Sequence, residues 1–409
     1  MKKESYQYFR LENGIKVIQK EVDSPITHVG MVVNTGTRDE LPEENGIAHF
    51  IEHTIFKSTR KRNTYQVLSY LENVGGDLNA YTTKEETFFY ASVLNEYFGR
   101  ALDLLSDIVF NSAFNTKDIE TEKEVVLEEI NSYKDNPAEL IFDEFENQLF
   151  AGHPIGTYIL GTKKSMRRFS REDILRFMAR TYHTDQMVIS VVGAIPFAQC
   201  VRLIRKYFGN IPSHPRDYRR EPYQDYRPSH IRKQLRGSQT HMIIGRVLPR
   251  YNDRKHLCAT LLNNMLGGPG MNTRLNMALR EKKGYVYSVE SAYAALSDAG
   301  LFTIYAGMDH KNLEKCQEMI HDELRKLRRT PLGPLQLQRA KRQLIGQTCL
   351  TNESNLTEML SIGKNHLLYD EVETIPELLA KMELITAGEL MEMADEMLDG
   401  EQLSSLLYI

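Results

Sequence analysis

Gly46-Ile47-Ala48-His49-Phe50-Ile51-Glu52-His53 is the stretch on which the reading of this chain turns. Gly46-Ile47-Ala48 opens a helix in which His49 and His53, four residues apart, stand on one face, and Glu52, three beyond His49, lies on the same side. Two neutral imidazoles so placed can hold one metal ion, and the carboxylate beside them can take a proton from a metal-bound water. His-x-x-Glu-His reverses the commoner His-Glu-x-x-His order of zinc-binding helices. Read alone, the triplet describes partly exposed residues of an ordinary helix equally well.

A zinc site that performs chemistry needs a third protein ligand and an open fourth position. Glu129 is the best third ligand available. It belongs to another helix, spanning residues 116–133, from which a carboxylate can approach the imidazoles from a different direction. On that helix Ile119, Val126, Ile130 and Tyr133 form a core-facing stripe, whereas Glu122 and Glu129, two turns apart, share a separate face. Glu128 is rotated from Glu129 by about 100°. The bland alternative for Glu129 is a solvated glutamate. Glu122 either orients a histidine as an outer acceptor or is simply exposed.

Before the histidines, residues 6–22 read as two strands about a turn at Asn13-Gly14, and residues 29–34 as a third strand ending in a loop at residues 36–40. After them, residues 64–74 have helical spacing and stop at Gly75-Gly76. Residues 77–82 and 87–93 read as an antiparallel pair around Lys84-Glu85-Glu86. If the first of these is a sheet edge near the metal, its free backbone groups can pair with an extended peptide. Helices are expected at 97–109 and 171–182, with breakers at Asn136-Pro137 and a loop at 153–156. Met187 to Gly193 is an apolar run of the kind buried on both faces of a sheet.

Residues 212–228 are rich in Pro, Arg, Tyr and Asp and are taken as a linker between residues 1–211 and 229–409. The second half repeats the plan of the first. Strands at 229–235 and 241–247 precede a helix at 254–265, the run Gly267-Gly268-Pro269-Gly270 and a helix at 272–281. Strands at 285–293 and 300–307 follow, then helices beginning near Asn312, Pro334, Ser354 and Pro376. The expected fold class is α+β, with two homologous α+β domains, each an antiparallel-rich sheet flanked by helices.

The chain has 409 residues, too many for one ordinary core, with 41% hydrophobic and 26% charged residues, as in a soluble globular protein. A formal net charge of -4 implies no nucleic-acid partner, and the one basic cluster, Arg325-Lys326-Leu327-Arg328-Arg329, reads as the solvated end of a helix. No apolar run reaches the roughly 18 residues of a membrane span. The amino terminus has lysines but no following apolar stretch of signal-peptide length. Cys200, Cys258, Cys316 and Cys349 are widely spaced and are expected as buried reduced thiols. A cytoplasmic location is the expectation, although a chain trimmed of its signal peptide would look the same.

Several spaced motifs together resemble the pitrilysin/insulinase family of zinc metallopeptidases, the inverzincins. They are Gly36-Thr37-Arg38-Asp39-Glu40, the histidine stretch, Phe56-Lys57-Ser58-Thr59, Gly76-Asp77-Leu78-Asn79-Ala80-Tyr81-Thr82 and Glu122 through Ile130. In the second half Gly267-Gly268, Met271, Arg274 and the run from Leu279 to Val289 are similar as well. Ile51 and Tyr285 stand where leucine is usual. The resemblance implies one Zn²⁺ per chain held by His49, His53 and Glu129, with Glu52 as general base and Glu122 in support. It also implies that Leu78, Asn79, Ala80 and Tyr81 form a substrate-pairing edge strand, and that Arg280 and Tyr287 bind the substrate backbone and stabilise the oxyanion. The plainer alternative for that last pair is a surface arginine and a packed tyrosine.

Family members of double the length enclose a clamshell chamber with four such domains. A two-domain chain resembles the half-length branch related to mitochondrial processing peptidase, which builds the chamber from two chains. The implied function is a zinc endopeptidase for short or unstructured peptides, working as a homodimer with active sites shared between chains. A non-catalytic scaffold or partner subunit of the same fold is the alternative.

Overall fold

Alternating and β-branched segments of the first half assemble, in the computed structural model, into a six-stranded sheet. The model describes residues 6–235, 239–370 and 372–409; residues 1–5, read above for a leader, lie outside the described residues. The strands are β1 (Gln7–Arg10), β2 (Lys16–Glu21), β3 (Ile26–Val33), β4 (Asp77–Thr82), β5 (Thr87–Leu94) and β6 (Met187–Gly193), in the order β1-β2-β6-β3-β5-β4. All pairs are antiparallel except β2 with β6.

The two-residue period of a strand divides the apolar side chains between two faces. Val29, Met31, Val33, Ile189 and Val191 enter the main core with Phe50 and Ile51 of the histidine helix, Leu102 and Leu105 of helix Phe98–Asn111, and Ile204 of helix Phe197–Phe208. Ile18, Val32, Phe88, Val188 and Val192 point the other way and are covered by Met359 and Ile362 of helix Asn355–Tyr369. Burial on both sides is why Met187–Gly193 is apolar apart from Ser190. Ion pairs of Lys20 with Glu358 at 2.7 Å and Lys364 with Glu86 at 2.5 Å hold this helix to the sheet.

The second sheet contains β7 (His230–Lys233), β8 (Gln239–Pro249), β9 (Val286–Ala295), β10 (Ala299–Asp309) and β11 (Ser404–Tyr408), in the order β7-β11-β8-β10-β9. Without β1, the two sheets have one topology. In each, the last strand in chain order slips between the first two, parallel to the first and antiparallel to the second. The expected duplication of an α+β unit is therefore written in the strand order, where residue identity shows little of it.

Contacts divide the chain into two compact units, one made of residues up to Ser132, Thr157–Arg220 and Leu350–Thr374, the other of Tyr133–Gly156, Glu221–Cys349 and Ile375–Ile409. The simple cut at 212–228 thus differs from the observed partition. Helix Pro137–Leu149 lies on the second sheet, packing Ile141 and Phe145 against Ile243 and Leu406, and helix Asn355–Tyr369 lies on the first. An amphipathic stripe says that a helix covers something, not which sheet it covers.

Helices Pro137–Leu149, Lys163–Met166, Phe197–Phe208 and Ala387–Met397 and strand β11 were among the elements not anticipated. Pro137 stands at the first position of its helix, where a proline starts a helix as well as ending one. Asn276–Glu281, expected within an α-helix, is wound as a π-helix. Cys200, Cys258 and Cys316 are buried free thiols as expected, but Cys349 is exposed, because helix Pro334–Thr351 buries only Ala340 and Leu344. Among the described residues, no helix is long and apolar enough to cross a membrane.

Candidate metal centre

The histidine helix runs Ile47–Ile55 and begins on Gly46, whose φ of 93° is left-handed, a conformation that glycine adopts at least cost. Glu40 reaches back from the preceding loop to accept from the amide of Gly46 at 2.9 Å and of Ala48 at 3.0 Å. A carboxylate at a helix N-terminus satisfies donors that have no partner within the helix. Burial pushes the Glu40 carboxyl up to about 8, against the pull of those amides. The cap fixes the turn on which His49 stands.

His49 and His53 project side by side, their ring centroids 4.7 Å apart. Glu129 arrives from helix Thr116–Lys134, with Oε2 3.4 Å from His53 Nε2 and 3.9 Å from His49 Nε2. One ligand atom from each of the three residues lies within 4.8 Å of the others, and this is the one such group of potential metal ligands among the described residues. Glu129 Oε2 is buried and has no hydrogen-bond partner. A buried carboxylate oxygen aimed at two imidazole nitrogens, in a His₂Glu donor set, fits a catalytic zinc site.

Glu122, one of the buried charges on the long helix, lies 3.4 Å from His53 Nδ1 and 2.6 Å from Lys57 Nζ. A proton on Nδ1 pointing to Glu122 leaves the Nε2 lone pair facing Glu129. Electrostatics separate the two histidines. Burial, with His53 alongside, lowers His49 to about 4, so its ring is neutral near pH 7. Burial acts on His53 too, but Glu129, Glu52 and Glu122 outweigh it and raise the value. Glu129 is lowered, first by His53.

Glu52 is half-buried beside the pair, and Thr82 donates its hydroxyl to Oε2 at 2.5 Å. Burial raises the Glu52 carboxyl despite that bond. Thr82 ends β4, which occupies the edge of the sheet and, among the described residues, pairs only with β5, setting Leu78 opposite Ala91, Asn79 opposite Tyr90, Ala80 opposite Phe89 and Tyr81 opposite Phe88. The strand expected to offer a free edge thus runs directly into the residue that holds Glu52.

The first unit therefore brings together His49, Glu52, His53, Glu122, Glu129 and the β4 edge. Arg280 and Tyr287 belong to the second unit. Arg280 is exposed on the π-helical segment, and Tyr287 is the second residue of β9, an edge strand, with its hydroxyl donating to Asp309 at 2.6 Å. Glu40, Lys57 and Thr82 stand within stretches that carried the resemblance, but no role was expected of any of them. A lone hydroxyl at a strand end and a capping carboxylate in a loop have no periodic signature.

Residues 16–163 match the family model described as insulinase (peptidase family M16), and residues 168–344 match that of the peptidase M16 inactive domain. YmxG, an uncharacterized zinc protease of Bacillus subtilis, is 31% identical over 380 residues, 92% of each chain. This chain belongs to peptidase family M16. An uncharacterized zinc protease of Rickettsia bellii is 30% identical across 99% of this M16 chain and 98% of its own. Among solved structures, a peptidase M16 inactive domain from Pseudomonas fluorescens superposes with a TM-score of 0.92 at 19% identity, covering 99% of this chain and 98% of that one. A protease from Helicobacter pylori gives 0.92 at 20%, covering 99% and 100%. At such identities these two establish the fold alone. The M16 match at 16–163 takes in His49, Glu52, His53, Glu122 and Glu129, while Arg280 and Tyr287 fall in the segment whose model is called inactive.

Proposed function

We propose that this M16 chain is a zinc-dependent endopeptidase acting on short or unstructured peptides. The observation that carries the proposal is the convergence of His49, His53 and Glu129 on one point, with the half-buried Glu52 beside them. Zinc bound there supplies a Lewis acid that brings the pKa of water toward neutrality. Glu52 takes the proton of the attacking water and hands it to the leaving amine nitrogen. Burial raises the Glu52 carboxyl above its ordinary value, so it holds a proton more readily than a free carboxylate, which suits that double task. Glu122 keeps His53 in the tautomer whose Nε2 is free to ligate.

Leu78 through Tyr81 present an unpaired edge, so the substrate backbone is read as an added strand. Only an extended segment can pair in this way, which is the support for unstructured peptides over folded proteins. Arg280 and Tyr287 are assigned to substrate binding and oxyanion stabilisation at the site of a second copy, in a homodimer with shared sites. Free thiols at all four cysteines favour the cytoplasm.

Glu52→Gln keeps the hydrogen-bonding shape and removes the base. Zinc content should stay near one per chain while hydrolysis of a quenched peptide library falls by about 100-fold or more. A zinc-loaded Glu52→Gln protein with undiminished turnover would end the assignment. The description of the 168–344 model as inactive favours the other reading, a non-catalytic subunit of this fold. Metal analysis separates the two, because a scaffold has no need of stoichiometric zinc.

A further inference from the structure

Asp39 and Glu85 are buried carboxylates on two different loops, with side chains 1% and 8% exposed. Asp39 lies in the turn before Glu40, the cap of the histidine helix. Glu85 lies in the turn after β4, three residues beyond Thr82. Arg220, itself 10% exposed, meets both. Its Nε donates to Asp39 Oδ1 at 3.0 Å, and its Nη2 lies within hydrogen-bonding distance of Asp39 Oδ2 (2.7 Å), the Glu85 carbonyl (2.7 Å) and the Asn34 carbonyl (3.1 Å).

Arg38 pairs with Glu85 at 2.7 Å, and Arg216 and Tyr218 each approach Asp39 at 3.3 Å. Two backbone bonds, Thr37 to the Thr83 carbonyl and Arg38 to the Lys84 carbonyl, run directly between the loops. What Arg220 adds is a planar fork that grips the carboxylate of one loop and the main chain of the other at once. A lysine can neutralise Asp39, but as a point charge it cannot reproduce that geometry. Arg220 also ends the Thr157–Arg220 segment of the first unit, within the stretch taken from sequence for a mere linker.

We infer that Arg220 is a positioning residue that clips the 36–45 loop to the β4–β5 turn, and through Glu40 and Thr82 sets Glu52 against the His49/His53 pair. The inference deepens the peptidase reading and rests on it for its kinetic consequence, but the clip can be tested without catalysis. Loss of a buried cation can unfold a protein, so the variant of choice is Arg220→Lys, which keeps the charge.

Hydrogen exchange on the full zinc-loaded chain should show amides in 36–50 and 82–86 exchanging about tenfold faster in Arg220→Lys, with β8 and β10 unchanged. A uniform rise across the chain, a rise in one loop alone, or none would overturn the clip. In the same protein, kcat per bound zinc should fall about tenfold with KM within about twofold, as expected when a reacting group is displaced and not removed. Its effect should be less than additive with that of Thr82→Val, because both act through Glu52. Full additivity, or unchanged kcat, would remove the route through Thr82. If the wild-type protein with zinc cleaves nothing, the peptidase reading fails, and the exchange result still decides whether Arg220 joins the two loops.

Discussion

Glu122 and Glu129 lie two turns apart on one helix and are given opposite tasks by what they face. Glu129 Oε2 meets two imidazole nitrogens and has no hydrogen bond; Glu122 is occupied by His53 Nδ1 and Lys57. Removing the outer carboxylate should weaken the metal and not abolish it: Glu122→Ala is expected to lower zinc affinity by about 10–100-fold, measured by competition with a chromogenic chelator. An unchanged affinity would mean that His53 needs no help with its tautomer. The histidine pair and Glu52 were legible in the sequence because a helix places i, i+3 and i+4 on one side, and Glu129 because it begins from another element. Glu40 and Thr82 were not, since each acts through the path of a loop, and loop paths follow no period.

At the scale of elements, the site is the junction of one short helix and one edge strand. The Ile47–Ile55 helix is anchored by Gly46 and Glu40, and β4 is anchored through its pairing with β5, leaving its other side open among the described residues. If that open side receives substrate backbone, peptides with N-methyl groups on alternate residues near the cleaved bond should lose affinity, while the same groups shifted by one residue should be tolerated. Equal KM values for both series would argue that side-chain pockets, not strand pairing, hold the peptide. Strand β6 was evident from sequence because both of its faces are buried. The placement of helix Asn355–Tyr369 was not, since its partners, Val32, Phe88 and Val188, are distant in the chain.

For the whole molecule, duplication gives two units with a shared strand order, the first containing the His49/His53/Glu129 group and the second Arg280 and Tyr287. Sharing sites between copies predicts complementation: mixing Glu52→Gln with Arg280→Ala protein should restore activity in the heterodimers, and failure to do so would confine each site to a single chain. Acid sensitivity is also a property of the whole. Away from the metal group, burial lowers His28, His183, His241, His256, His321 and His366 below the ordinary 6.5. Below 6.5 the unfolded chain takes up protons that the native one refuses, so their contribution is intact above that value and is lost as pH falls through the lowered native pKa values. Glu40, pushed up to about 8, works the other way over the same range, so urea midpoints of a Glu40→Gln protein should fall more steeply between about pH 6.5 and pH 5 than those of the wild type.

The docking of helix Asn355–Tyr369 on the first sheet has a consequence for biosynthesis. β6 leaves the ribosome long before that helix is translated, so the nascent sheet can close its strands while Ile18, Val32, Phe88, Val188 and Val192 still face water. Throughout synthesis of β7 to β10 the growing polypeptide displays a greasy slab, and its safe passage depends on whatever shields that slab until its own cover is made.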